Sequence, residues 1–193
     1  MLDAALSIVA RRGAVRMTLA EVGKAAGCAV ACRRIASAAR PGSCTRSLAT
    51  SVHASASSAN ERPALAPGLE SIVGNIHFYF SRSRTADKRG GSWTATRALL
   101  VMMTESFMEA PSSALRKEIV AYNRKALAWF ERHIAAGIER GEIAPDTDAA
   151  VTAVVLLGAM RGAMLQWLLD DRIKLLAVRD RLLQITAQVL APR

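Results

Sequence analysis

The sequence predicts an all-α protein, a small N-terminal helical module followed by a larger helical bundle. Apolar residues recur every three or four positions nearly throughout, and no stretch sustains an alternation of period two. Glycine and proline punctuate that pattern where helices would end. Hydrophobic residues make up 51% of the 193 and charged residues 22%, enough apolar material for a core and too much for a disordered chain.

The elements follow in order. Leu2, Ala5, Leu6, Val9 and Ala10 share one helical face, and Gly13 stops that first helix. Thr18 can then cap a second helix, Glu21 stands at the reciprocal capping-box position, and Met17 with Val22 has the spacing of a hydrophobic staple. Gly27 ends this short helix after Ala26. Two short helices and a glycine turn are the front half of a helix-turn-helix, whose second helix lies in the DNA major groove.

Charge falls on the same region. The chain carries 26 Lys+Arg against 16 Asp+Glu, a net +10 with a pI near 10.5. Residues 1–62 hold nine basic and three acidic side chains, so the excess is densest at the N-terminal end. A polyanion is the partner such a module fits, and double-stranded DNA is the one a helix-turn-helix reads; a solvated basic face is the structural alternative.

Leu2-Asp3-Ala4-Ala5-Leu6, Arg12-Gly13, Thr18-Leu19-Ala20-Glu21-Val22 and Lys24-Ala25-Ala26-Gly27 resemble the opening of the tetracycline-repressor (TetR) family of transcriptional regulators. The resemblance implies a helix-turn-helix DNA-binding domain over 1–48, a linking helix and loop over 49–66, and a ligand-binding and dimerisation domain over 67–193. It also implies a cytoplasmic homodimer, a repressor released from DNA by a small apolar or aromatic effector. Thr18, Lys24, Arg33 and Arg34 are the expected DNA contacts.

The chain departs from the family at 28–47, CAVACRRIASAARPGSCTRS, which lacks the family's aromatic and Gly-Ser-Lys turn. Back-translated with GC-rich codons and read two nucleotides later, Ala29 to Leu48 can give RGLPAHRFGSKAGLVHAL, which resembles the missing segment. A lost nucleotide near Ala29 and a regained one near Ser47 would produce the observed string. A divergent recognition helix is the other account, and it leaves an alternative function open: a helical dimeric small-molecule-binding protein without sequence-specific DNA recognition.

Beyond Pro67 the periodicity is cleaner. Leu69, Ile72, Val73, Ile76 and Phe80 form a stripe, and 82–92 reads as a polar, basic loop. Trp93 to Met108 is apolar on most sides, Ala110-Pro111-Ser112 breaks it, and a long helix is expected from Ser113 to Arg140. Gly141 closes that helix, and Pro145-Asp146 is expected to open the next, which runs to Asp170. A last helix over Lys174 to Leu190 is expected to bury Leu175, the stem of Arg179, Leu182, Ile185 and Val189. Ala149 to Leu169 is apolar enough to be weighed as a membrane span, but a central Arg161 and the lack of a companion span favour a buried helix, so no membrane partner is expected.

Arg140 to Asp146 and Gly158 to Leu169 resemble TetR regulators again, where the last two helices pair with their copies in a four-helix bundle. Gly158 and Gly162, four apart, would let another helix approach closely, and Trp167, Leu182, Ile185 and Val189 complete the expected interface. The central helices are expected to enclose an effector pocket lined by Trp93, Met102, Met103, Phe107, Tyr122, Trp129, Phe130, His133, Met160 and Met164, with core packing as the alternative for each. His133 is the polar candidate against a solvated histidine, and Glu105 could orient a cation.

Catalysis and cofactors find no support in the motifs. His53, His77 and His133 lie apart, with no adjacent carboxylate or nucleophile in sequence and no H-E-x-x-H, G-x-S-x-G or phosphate loop. Cys28, Cys32 and Cys44 lack a second ligand pair, so no metal is expected, and three clustered cysteines suit a reducing compartment.

Overall fold

The structure is a computed structural model, and it describes residues 2–13, 21, 24–25, 65–85 and 91–192. All regular structure among the described residues is helical, as the sequence predicts. Six helices have defined bounds there: α1 (Leu2–Arg12), α2 (Leu69–Thr85), α3 (Gly91–Ser106), α4 (Ala114–Glu139), α5 (Ala149–Leu169) and α6 (Leu175–Leu190). The anomalous segment 28–47, with Thr18, Arg33 and Arg34, lies outside the described residues.

Packing divides the chain into two compact units, one of residues 1–61 and 85–122, the other of residues 62–84 and 123–193. The first is organised by α1. Its face of Ala5, Leu6, Val9 and Ala10 is buried with Ala98 and Met102 of α3 and Leu115 and Ile119 of α4. Gly13, at φ 85°, ends α1 where the sequence places the stop. α3 closes with a tightened turn, in which the N–H of Phe107 and of Met108 reach back three residues to Thr104 and Glu105.

The second unit buries Ile72, Ile76 and Phe80 of α2, Phe130 and Ile134 of α4, and a row along α5 of Ala153, Leu156, Leu157, Met160 and Met164. α5 packs against α6. It is long and apolar enough by composition to cross a membrane, with a mean hydropathy of 1.5, yet this buried row and the hydrogen bond from Arg161 to Asn123 make it an element of the bundle.

Four boundaries and one face differ from the sequence-based expectation. α2 runs on to Thr85, because Arg and Ser continue a helix without the cost of Gly or Pro. α3 begins at Gly91, two residues before Trp93, and ends at Ser106, leaving Phe107 and Met108 in the following turn. α5 begins at Ala149, because the Asp148 carboxylate accepts the Val151 N–H at 3.0 Å and is the cap. On α6 the buried positions are Leu175, Thr186 and Leu190, while Ile185 is 43% and Val189 68% exposed. Thr186 disguises the true stripe: its hydroxyl donates to the Leu182 carbonyl at 2.8 Å, so a polar residue is buried without an orphaned group.

The end of α4 is a Schellman turn, with the Gly141 N–H bonded to the Ile138 carbonyl at 3.0 Å and the Glu142 N–H to the Gly137 carbonyl at 2.8 Å. Gly141 takes φ 69°, and nothing lies within 4 Å of where its Cβ would be. The Gly141→Ala variant therefore meets backbone strain without a clash and should lose about 1–2 kcal/mol, with Gly141→Asn losing less, as measured by denaturant unfolding.

Candidate functional site

The expected DNA contacts are described at one position. Lys24 is helical and exposed, as a phosphate contact must be, and nearby Glu21 accepts an ion pair from Arg12 at 3.4 Å. The expected pocket residues fall in both compact units. In the first, Met102 is fully buried in the core around α1 and Met103 packs on that core. Tyr122 is half-buried, and Phe107 stands 71% exposed with the Arg116 guanidinium 5.5 Å from its ring centre. Trp93 lies on α3 with its side chain outside those described.

The second unit gathers five of the expected residues. Trp129 stacks edge-on against Phe130 at 5.0 Å and lies 4.1 Å from the His133 ring at a tilt of 41°. Phe130, Met160 and Met164 are buried on α4 and α5. These are aromatic and thioether groups of the kind that accommodate apolar ligands.

Polar contacts that the sequence pattern does not reveal stand in the same unit. Arg161, half-buried on α5, donates to the Asn123 side chain on α4. His133 is buried, and its Nδ1 accepts the backbone N–H of Gly68 at 3.3 Å. The next amide, Leu69 N–H, is taken by Glu142 Oε2 at 2.9 Å, and Glu142 Oε1 accepts from Arg140 at 2.9 and 2.5 Å. These partners lie 65 and 73 residues apart in sequence, so no local pattern could announce them. Gly68, at φ 131°, sits so close beneath the ion pair that a Cβ would lie 2.5 Å from Arg140 and run into Glu142. The Leu69 amide and the Arg140 guanidinium together hold the Glu142 carboxyl below its usual range, as an anion at a helix N-terminus should be.

The expected dimer elements lie on α5 and α6. Gly158 is exposed and Gly162 half-buried, and nothing in the chain lies within 4 Å of a Cβ at either. Trp167 and Leu182 are half-buried. Val151, Val154 and Val155, absent from the expected interface, are each more than half exposed and continue the Gly158 side of α5 toward its N-terminus. Among the described residues no cluster of His, Cys, Asp and Glu could hold a metal ion.

Residues 100–189 match the family model described as tetracyclin repressor-like, C-terminal domain. No curated protein matches the sequence. A TetR-family transcriptional regulator from Rhodococcus sp. aligns at 17% identity with a TM-score of 0.76, covering 95% of this chain and 93% of that one. The regulator FadR from Bacillus subtilis, solved in complex with stearoyl-CoA, aligns at 19% and 0.69, covering 98% and 97%. FadR from Bacillus halodurans, a fatty acid degradation regulator, aligns at 17% and 0.66, covering 95% and 90%.

Glu142 dictates a pH dependence. Its folded carboxyl is held below the value of 4.5 it has when free, so its contribution is complete above that value and is lost as pH falls through the folded one. Glu142→Gln keeps an acceptor for Leu69 but loses the charge. The variant should unfold more easily at neutral pH, and its midpoint should converge with wild type in acid. Asp170, lowered by Arg172, titrates in both proteins and cancels in the comparison.

Proposed function

We propose that this chain is a DNA-binding transcriptional regulator of the TetR kind, a reading supported by the tetracyclin repressor-like match at residues 100–189 and by its fold. It acts as a homodimeric repressor in the cytoplasm, released by a small apolar or aromatic effector. The family match over 100–189 carries this reading. The basic N-terminal third supports DNA as the partner, since phosphate attraction needs only net positive charge. Thr18, Lys24, Arg33 and Arg34 are the side chains assigned to that contact.

The effector pocket is assigned to Trp129, Phe130, His133, Met160 and Met164, which lie in one unit. FadR from Bacillus subtilis was solved with stearoyl-CoA, which makes a long acyl chain the first effector to try. The altered segment 28–47 favours a second reading, a ligand-binding dimer that attracts DNA by charge alone. Fluorescence anisotropy against the upstream region of its own gene and against scrambled duplex separates the two. A regulator should prefer its own site by about 10³ or more and release it on adding effector. Equal affinity for both duplexes, falling steeply with salt, would overturn the first reading.

Homodimerisation is assigned to Gly158 and Gly162 with Val151, Val154, Val155, Trp167, Leu182, Ile185 and Val189. α5 is apolar on its solvent side as well as its core side, and a second copy would cover that solvent side. The space around Gly158 gives a clean test. Gly158→Leu meets nothing within its own chain and gains helix propensity, yet fills the groove a second helix would enter. It should sediment as a monomer while keeping its helical circular dichroism; a dimer of unchanged affinity would remove Gly158 from the interface.

A further inference from the structure

We propose that Glu105 of α3 is a positioning residue for the N-terminal module: its carboxylate packs into the turn at Gly13 and sets the direction in which the chain leaves α1. Both residues belong to the first unit. α1 packs on α3, and the helical spacing of Ala98, Met102 and Glu105 puts all three on one face of α3. Ala98 and Met102 are buried there with Leu6, Val9 and Ala10 of α1. Glu105 continues that face beyond the apolar core, and Gly13 follows Val9 and Ala10 on the matching face of α1. The last rung of an apolar pairing is thus a long polar side chain set against a residue with none.

The fit is close. Gly13 is buried at φ 85°, and its N–H closes α1 on the Val9 carbonyl at 2.9 Å. A Cβ at this position would run into Glu105 Oε1 and lie 2.8 Å from Cδ. Glycine therefore serves twice here, for the left-handed turn and for the space the carboxyl group takes. The backbone that carries Glu105 is held as well. Its carbonyl accepts the Met108 N–H at 3.0 Å, and the carbonyl of the next residue, Ser106, accepts from Arg116 of α4 at 2.8 Å. Donors from beyond the helix thus take up acceptors that the end of α3 exposes.

On the module's own side the corner carries the Arg12–Glu21 pair at 3.4 Å, an exposed ion pair of the kind that contributes little. Arg11, the other base in the last turn of α1, turns back to Ser7. The buried contact of Gly13 with Glu105 is the firmer constraint, because a close-packed turn yields less than a solvated pair. Lys24, assigned above to DNA, is helical and follows this corner in sequence. Phosphate and base contacts depend on where such a helix is placed, so a displaced exit from α1 would misplace it on a duplex. The positioning role rests on the DNA-binding reading; the contact itself does not.

A double-mutant cycle isolates the pair from every other contact either residue makes. In denaturant unfolding of the full-length protein, Gly13→Ala should raise the unfolding constant about fivefold more in the wild-type background than in Glu105→Ala, where only the strain of the left-handed turn remains. Additive effects would overturn the proposal. Fluorescence anisotropy then reads the role, with a labelled duplex from upstream of the chain's own gene and a scrambled duplex. Glu105→Ala and Gly13→Ala should each lose about tenfold of the preference for the upstream duplex, the size of one mismatched base pair. Glu105→Gln removes the same charge as Glu105→Ala but keeps the shape, so it should retain the preference. An unchanged preference in Glu105→Ala would overturn the role, as would an equal loss in Glu105→Gln, which would make the effect one of charge. A wild type without preference overturns the DNA-binding reading and the role with it, and coupling that persists in the cycle tells that result from failure of the contact.

Discussion

The second unit depends on one short turn, Arg140 to Ala144. Gly141 takes the left-handed conformation that reverses the chain, and the next three residues use the groups that the reversal exposes. Glu142 places its carboxylate on the first amide of α2. Ile143 is fully buried and fills the notch left by Gly137, where a Cβ would fall 2.6 Å from its side chain. Ala144 donates its N–H to the Leu190 carbonyl at 3.0 Å, taking up an orphan acceptor at the end of α6. Five successive residues thus end one helix, cap the start of a second and the end of a third, and seal the core between them.

Apolar packing and polar joints divide the work. Burial along α2, α4 and α5 supplies the non-directional force that collapses the unit, but it does not fix where a helix starts. The start of α2 is fixed by His133 and Glu142, that of α5 by Asp148, and the place where α4 and α5 meet carries the Asn123–Arg161 pair. A buried polar group costs free energy unless it is bonded, so each of these joints admits few alternative registers.

How much of the molecule was legible in its sequence depends on the range of the interactions involved. The stripe of α1, the stops at Gly13 and Gly141 and the core face of α2 are local features, and the apolar spacing and glycine positions predict them. The buried face of α6 was displaced because Thr186 hides a hydroxyl by bonding its own helix, so hydropathy points to Ile185 and Val189 instead. His133 reads in sequence as a solvated side chain, since what buries and bonds it comes from a segment 65 residues away. The DNA-contacting assignments at Thr18, Arg33 and Arg34 stay with the sequence, and 28–47 is the stretch where local pattern and family resemblance disagree.

The two apolar sides of α5 bring the partner question to a physical point. A helix hydrophobic all round is normally buried all round, yet here the row from Ala153 to Met164 is covered while Val151, Val154 and Val155 face outward. The exposed side is not a bilayer-facing surface of uniform bulk, because Gly158 and Gly162 open a groove in it with no neighbouring atoms to fill the space. Lipid would favour bulk there, whereas a second helix favours small residues that let backbones approach. Ile185 and Val189, displaced from the core face of α6 by Thr186, add two more exposed apolar side chains on the helix that packs against α5. Of their two sequence-based expectations, a place in the core and a place in a helical interface, the exposure of Ile185 and Val189 removes the first.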